Sequence, residues 1–296
     1  MGLIDLAERM KRKKKSVSGV SFVNLIDKFL YQEQIDCLNG KKSGKDIETD
    51  CARAHYRLVK RFYRDAKSRE EGYRRKYLHP SAIGGCARRT YYKHFGAPEN
   101  KFVGSVADVA SLQRIFSNGS YFHVRMQVLF LRMGLCKLED IEVGFTIGDT
   151  QGTCDAIATV DGMKYIVDFK SSNDYIFKTL GNGNKSDYLK GYDNQMYMYM
   201  DAFKVKSGLF LYENKNNQRL HEVFLEFDED AQNSNSERLA YLRKHLASGK
   251  PPQREGDGLK NWPCNRCDYT GICYNREEEL SWLKSLKRKA KLSPKE

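Results

Sequence analysis

The 296-residue sequence lacks three features that mark large classes of protein. No run approaches about 18 consecutive apolar residues, so a membrane-spanning helix is not expected. No apolar segment follows the basic stretch near the first residue, so we expect no secretory signal and predict a cytoplasmic protein. The phosphate-binding pattern G-x-x-x-x-G-K-[ST] does not occur, and we therefore expect no ATP-driven helicase in this chain.

Positive charge is what the sequence has in excess. It contains 51 Lys and Arg against 38 Asp and Glu, which gives a net charge of +13. Such an imbalance indicates an acidic partner, most often nucleic acid. The 40% of hydrophobic residues is enough for a folded core, which excludes a wholly disordered or fibrous protein.

A basic segment, residues 53–76, interleaves Arg and Lys with aromatic residues and contains no Gly or Pro before Gly72. This pattern predicts a basic helix. Its charged face is either simply solvated or in contact with nucleic acid, and the pattern leaves both open. The residues that would make the contact are Arg57, Lys60, Arg61 and Arg64.

Periodicity predicts helices that flank a mixed or antiparallel sheet, which is an α/β or α+β architecture. We expect helices over about 81–95, 117–133, 187–203, 229–247 and from 276 onward. We expect strands over about 141–147, 153–160, 163–170, 206–213 and 219–228.

Two carboxylates are predicted to face each other across a hairpin. Asp161-Gly162 separates two β-prone runs, which is a strong signal for a two-residue turn. That register puts Asp155 directly opposite Asp168, and Lys170 follows on the same strand face. Directly opposed like charges are destabilising, and a divalent cation would resolve their repulsion. The plain alternative is an exposed Asp168 that pairs only with Lys170.

These residues resemble the core of the PD-(D/E)XK nucleases. In that family a small mixed sheet, flanked by helices in a restriction-endonuclease-like fold, carries the acidic pair and the lysine. The resemblance implies that Asp155 and Asp168, with the backbone carbonyl of Phe169, hold Mg²⁺ or Mn²⁺. It also implies that Lys170 assists attack on a phosphodiester.

Two flanking motifs are similar to the RecB-like branch of this family. Gly119 to His123 resembles its G-x-x-x-H motif, whose His is a metal ligand, in a helix that we expect to open at 117–118. Gln195 to Tyr199 resembles its Q-x-x-x-Y motif and would orient the substrate or the lysine. Without the other motifs, a lone His or a Met- and Tyr-rich helix would be read as core packing.

Four of the eight cysteines form a candidate metal site. Cys264, Cys267 and Cys273 have C-x2-C-x5-C spacing, which favours a metal or iron–sulfur site over disulfides. Three thiolates leave such a site one ligand short, and Cys86 is the best fourth candidate. The spacing alone leaves zinc and iron–sulfur open.

The residues around Cys86 resemble the S-x-I-x-x-C-x-R-x-x-Y-Y segment of iron–sulfur nucleases in the same branch, such as the AddB subunit and the CRISPR-adaptation nucleases. This resemblance covers residues 79–275 and implies a [4Fe–4S] cluster on the four cysteines, with Zn²⁺ as the alternative. It also implies that Arg88, Arg89 and Tyr92 contact DNA.

Three segments follow from these patterns: a basic helical extension (1–78), a nuclease core closed by the cysteines (79–275) and a basic C-terminal helix (276–296). We predict a Mg²⁺- or Mn²⁺-dependent exonuclease that acts on single-stranded DNA ends. Its setting would be repair, recombination or replication in a bacterium or a phage-infected cell, with a helicase or recombination protein as partner. The alternative is a zinc- or iron–sulfur-stabilised DNA-binding or assembly module with little cleavage of its own.

Overall fold

The computed structural model describes residues 19–67, 78–100, 106–180, 187–256, 258–261 and 263–292. Five strands form one sheet, and their spatial order is their order along the chain. Neighbouring strands are antiparallel except for the third and fourth, which are parallel, so the predicted mixed sheet is confirmed. The strands are β1 (Ile141–Ile147), β2 (Thr150–Val160), β3 (Met163–Ser172), β4 (Ser207–Asn214) and β5 (Leu220–Glu226).

Helices precede, connect and follow the strands, as expected for an α+β fold. Two of them, α5 (Asp174–Leu180) and α6 (Asp187–Phe203), lie in the crossover that parallel strands β3 and β4 require. Within the described ranges, each helix is too short or too polar to cross a lipid bilayer. The helices are α1 (Phe22–Leu38), α2 (Gly44–Lys67), α3 (Ala87–Phe95), α4 (Val106–Arg132), α5 (Asp174–Leu180), α6 (Asp187–Phe203), α7 (Glu229–Ser248), α8 (Thr270–Tyr274) and α9 (Arg276–Leu292).

Two predicted helix boundaries were wrong. The helix that carries His123 begins at Val106, not at 117–118, because exposed Ser and Asn cost little inside a helix whose neighbouring turns pack. The helix expected over 81–95 is a 3-10 turn, Pro80–Ala82, followed by α3. The basic helix is described as far as Lys67, and residues 68–76 of its predicted span lie outside the described residues.

The sheet is buried on both faces, which fixes its position between helices. On one face Phe22 of α1 packs against Phe130 of α4 and edge-on against Tyr165 of β3, with ring centroids 5.9 and 5.2 Å apart. On the other face Met196 and Met200 of α6 belong to a second buried cluster. The site described below lies where these layers meet.

Glycines allow the segment before α3 to lie directly on the sheet and on α6. A Cβ at Gly84 would collide with the backbone of Gly191 in α6. A Cβ at Gly152 of β2 would lie 2.7 Å from the ring of Pro80. Larger residues would push this segment away, because real Cβ atoms do not approach other atoms so closely.

Candidate active site

The hairpin between β2 and β3 has the predicted register. Asp161 and Gly162 form the turn with φ of 50° and 78°, the left-handed values that a two-residue hairpin turn requires. Pairing continues from this turn to Ala156, which lies opposite Val167. This part of the geometric prediction is therefore confirmed.

Five of the predicted site residues come together just beyond the last paired position. The Asp155 carboxylate accepts a hydrogen bond from the backbone N–H of Phe169 at 2.8 Å. His123 of α4 lies beside it, with its Nδ1 3.3 Å from an Asp155 oxygen. The ammonium of Lys170 lies 2.6 Å from an oxygen of Asp168. Residues from one helix and two strands thus form one acidic cluster with a lysine at its side.

Glu142 of β1 joins this cluster and was missed in the sequence. One ligand atom each from His123, Glu142 and Asp155 lie within 4.8 Å of one another. Gly148-Asp149 is a second two-residue turn, and its register continues across β1 and β2. Applying the same hairpin reasoning to that turn would have put Glu142 opposite Asp155. The backbone of Glu142 is left-handed, with φ of 49°, which is uncommon for a non-glycine residue and typical of functional sites.

Gln127 connects α4 to this cluster. It lies one helical turn after His123 and is fully buried. Its side-chain amide donates to Glu142 at 2.8 Å and to the backbone carbonyl of Asp155 at 3.4 Å. The Gln127 amide therefore ties the two acidic strands to the helix that carries His123.

The charges of the cluster are strongly coupled. Burial raises the pKa of Asp168 from 3.8 to about 6; the Lys170 ammonium opposes this rise and the charge of Asp155 adds to it. Burial also disfavours an ionised Asp155, but its hydrogen bond with His123 and the positive charges nearby outweigh burial and lower its pKa. Burial alone would lower the pKa of His123, and Asp155 raises it instead. One Asp168 oxygen has no hydrogen-bond partner among the described residues.

The two α6 residues of the predicted motif contact each other. The side-chain amide of Gln195 donates to the hydroxyl of Tyr199 at 2.5 Å. Tyr199 is buried, so it has no surface for substrate, and burial raises its pKa well above the usual range. On the same helix, the ring of Tyr192 lies under the Lys170 ammonium, 4.6 Å from ring centroid to nitrogen. The orienting role of Gln195 stays a prediction.

The four predicted cysteines lie together in a second region, which we call the cysteine-lined end. Cys86, Cys264, Cys267 and Cys273 line one small cavity. The backbone N–H of Tyr269 contacts the Cys267 sulfur at 3.5 Å. Segments that are far apart in the sequence therefore meet at this cavity.

Two of the predicted DNA-contacting residues, Arg88 and Tyr92, bond to each other and to the C-terminal helix α9. The Arg88 guanidinium donates to the Tyr92 hydroxyl at 2.8 Å, to the Pro252 carbonyl at 2.5 Å and to Glu279 of α9. Tyr92 is buried and donates to Glu279 at 2.5 Å. Because Tyr92 is buried and the partly buried Arg88 is bonded to Tyr92, Pro252 and Glu279, these groups are engaged within the protein; their contact with DNA stays a prediction.

The remaining candidates for DNA contact are on the surface where they are described. Arg89 is partly exposed and pairs with exposed Asp268 at 2.7 Å. Arg57 and Lys60 are exposed on α2. The side chains of Arg61 and Arg64 lie outside the described residues.

Comparison with known proteins gives distant structural likenesses only. No protein-family model and no curated protein matches the sequence. The protein SSO0001 is 15% identical with a TM-score of 0.42, and the match covers 78% of this chain and 96% of that one. An alkaline exonuclease from Laribacter hongkongensis is 12% identical with a TM-score of 0.35 and coverage of 58% and 91%. A phage-related exonuclease from Haemophilus somnus 129PT is 15% identical with a TM-score of 0.38 and coverage of 58% and 94%.

Proposed function

We propose that this chain is a metal-dependent nuclease of the PD-(D/E)XK type that hydrolyses phosphodiester bonds in DNA. The observation that carries the proposal is that ligand atoms of His123, Glu142 and Asp155 lie within 4.8 Å of one another, with the charge of Asp168 coupled to that of Asp155. Carboxylate oxygens with one imidazole suit Mg²⁺ or Mn²⁺. The Asp168 oxygen without a partner is a free ligand atom in a buried position, so the residues fit such an ion.

The side chains divide the chemistry between them. His123, the three carboxylates and the carbonyl of Phe169 would hold the ion. When bound, a divalent cation lowers the pKa of a water and neutralises charge on the scissile phosphate. Lys170 lies beside Asp168 and would donate to the oxygen on which negative charge develops. The Tyr192 ring under the ammonium limits where Lys170 can point.

Single-stranded DNA ends are the proposed substrate, and exonucleolytic removal of nucleotides is the proposed reaction. The net charge of +13 and the exposed Arg57 and Lys60 support a polyanionic partner. Repair, recombination or replication in a bacterium or a phage-infected cell would be the setting, with a helicase or recombination protein as partner. A DNA-binding or assembly module without cleavage is the alternative, and the preformed acidic cluster favours the nuclease.

A cleavage assay separates these two functions. End-labelled DNA is incubated with Mn²⁺ and either the parent protein, Asp168→Asn, or Glu229→Gln as a control that removes an exposed carboxylate from α7. We expect Asp168→Asn to lower the rate by at least about 10²-fold, the usual loss for one charge-stabilising group in an active site. Equal cleavage by Asp168→Asn and the parent would reject this site.

We also propose that Cys86, Cys264, Cys267 and Cys273 hold a [4Fe–4S] cluster. All four line one cavity. The C-x2-C-x5-C spacing with a distant fourth cysteine resembles that of the iron–sulfur nucleases, and a tetrahedral Cys₄ zinc site is the alternative. Such a cluster would fasten the segment before α3 to the C-terminal helices.

Anaerobic purification tests the cluster. We expect iron in the protein and visible absorbance near about 400 nm, as iron–sulfur centres show. Stoichiometric zinc in a colourless protein would reject the cluster and favour a Cys₄ zinc site.

A further inference from the structure

An open groove of about 650 Å³ runs along α4 beside the candidate metal ligands. Phe116, Gly119 and His123 line it from one stripe of the helix, at spacings of three and four residues. Phe116 is 63% exposed, although large aromatic side chains are usually buried. Lys215, at the start of the β4–β5 turn, lines the same groove and is exposed. An apolar ring and a cation therefore lie in one groove with a metal ligand.

Gly119 leaves bare backbone between the Phe116 ring and His123. A Cβ built at Gly119 would meet no atom within 4 Å. A glycine inside a helix costs about 1 kcal/mol relative to alanine, and no packing contact here requires one. The notch that it leaves is open space over the helix, directly between the aromatic ring and the metal ligand.

We propose that an unpaired nucleobase of the DNA substrate stacks on Phe116, above Gly119, while its strand continues to the metal site. This inference rests on the proposed function and adds the subsite that selects single-stranded ends. Bases inside a duplex already stack on both faces, so only an unpaired base presents a face to an aromatic ring. A cation lining the groove, Lys215, complements the phosphates of the same strand.

The spacing along α4 suits this arrangement. Phe116 and His123 are seven residues apart, about 10 Å at a rise of 1.5 Å per residue. Successive phosphates of one strand are about 3.4 Å apart along a stacked helix, so about 10 Å is the length of a few nucleotides. The stacked base therefore belongs to a nucleotide close to the scissile bond.

Binding measured without cleavage tests the subsite. Fluorescence anisotropy with Ca²⁺ in place of the catalytic ion compares a single-stranded oligonucleotide with a blunt duplex. We expect Phe116→Ala to weaken single-strand binding about tenfold, as for other base-stacking aromatics, and Phe116→Tyr to retain it within about twofold. Duplex binding stays unchanged in both variants. Tyr121→Ala, which removes an exposed ring from a different face of the same helix, is the matched control and leaves both affinities unchanged.

A second variant tests the notch without weakening the fold. Gly119→Leu fills open space and improves helix propensity, so we expect an equal or higher melting temperature together with a loss of single-strand affinity of about tenfold. Unchanged single-strand binding by Phe116→Ala, or equal losses on single strand and duplex, would overturn the stacking proposal while leaving the nuclease proposal intact. A parent protein that cleaves no DNA with Mn²⁺ contradicts the nuclease itself.

Discussion

The acidic cluster and the cysteine-lined end differ in how far their buried charges are paired. At the cysteine-lined end, Arg88 is balanced by Glu279, and both side chains are nearly buried, at 11% and 10% exposure. In the acidic cluster, Asp168 is more deeply buried, and one of its oxygens has no partner in the described part of the chain. Its pKa is raised to about 6.

This difference separates a region that holds the fold together from one that is prepared to bind an ion. A buried charge without a partner is costly, so a contact that holds two helices together needs each charge to be paired. In the acidic cluster, Lys170 and His123 compensate the carboxylates only in part, so the cluster is less favourable until a cation binds, and binding sites are commonly built at such a cost to stability. Removing a charged side chain should therefore lower the free energy of unfolding at the cysteine-lined end and raise it in the acidic cluster.

The largest effect is expected at the cysteine-lined end. Arg88→Met removes the cation and leaves Glu279 buried without a counter-charge, so we expect a loss of about 3–5 kcal/mol in the free energy of unfolding. Urea denaturation monitored by circular dichroism measures it. Arg89→Met is the matched control, because the partly exposed pair of Arg89 with Asp268 is worth at most about 1 kcal/mol. Equal losses of unfolding free energy in both variants would show that the ion pair of Arg88 with Glu279 does not stabilise the fold more than an exposed pair does.

In the acidic cluster, removing a charge is expected to raise the free energy of unfolding. With metal removed by EDTA, Asp168→Asn should stabilise the protein at pH 8 by at most about 3 kcal/mol, because the pKa is raised from 3.8 to about 6 and a tenfold change in proton affinity corresponds to about 1.4 kcal/mol; loss of the counter-charge to Lys170 reduces this gain. In the parent, the raised pKa of Asp168 means that stability falls as pH rises from about 3.8 to about 6 and stays low above that. The gain should therefore disappear near pH 4. A loss of stability at pH 8 would contradict this account.

Sequence patterns predicted the parts of this molecule that depend on local rules. The turn at Asp161-Gly162 fixed a register, and that register placed Asp155 next to the strand of Asp168. Burial does not follow from such patterns. The motif around Cys86 marks Arg88 as a basic residue, but only the packing of α3 against α9 shows that its partner is Glu279, 191 positions away.

Glu142 shows a second limit of prediction from the sequence, which concerns side-chain and backbone geometry. Its position opposite Asp155 was accessible from the Gly148-Asp149 turn, but its left-handed backbone and its bond to Gln127 depend on the packing of α4 against the strands. Nothing in the residues around 127 suggests that a glutamine there, buried completely, would reach a strand residue.

The smallest effect is expected at this glutamine. Gln127→Leu keeps the buried volume but removes the hydrogen bond from the Gln127 amide to the Glu142 carboxylate, so we expect the ligands near His123 to be oriented less precisely. We expect Mn²⁺ affinity to fall about tenfold, in the range found when a residue that orients metal ligands is removed. Isothermal titration calorimetry with Mn²⁺ alone measures it.

A matched control separates orientation of the ligands from general stability. Asn235→Leu also removes a buried amide, one that donates to the Asn194 carbonyl at 3.0 Å on the α6–α7 side of the fold. Both variants should lose similar stability, since each gives up comparable hydrogen bonds, but Asn235→Leu should bind Mn²⁺ as the parent does. If Gln127→Leu also binds Mn²⁺ like the parent, Glu142 either does not ligate the ion or reaches it without help from α4. The strands alone would then orient the ligands of the acidic cluster, without a hydrogen bond from α4.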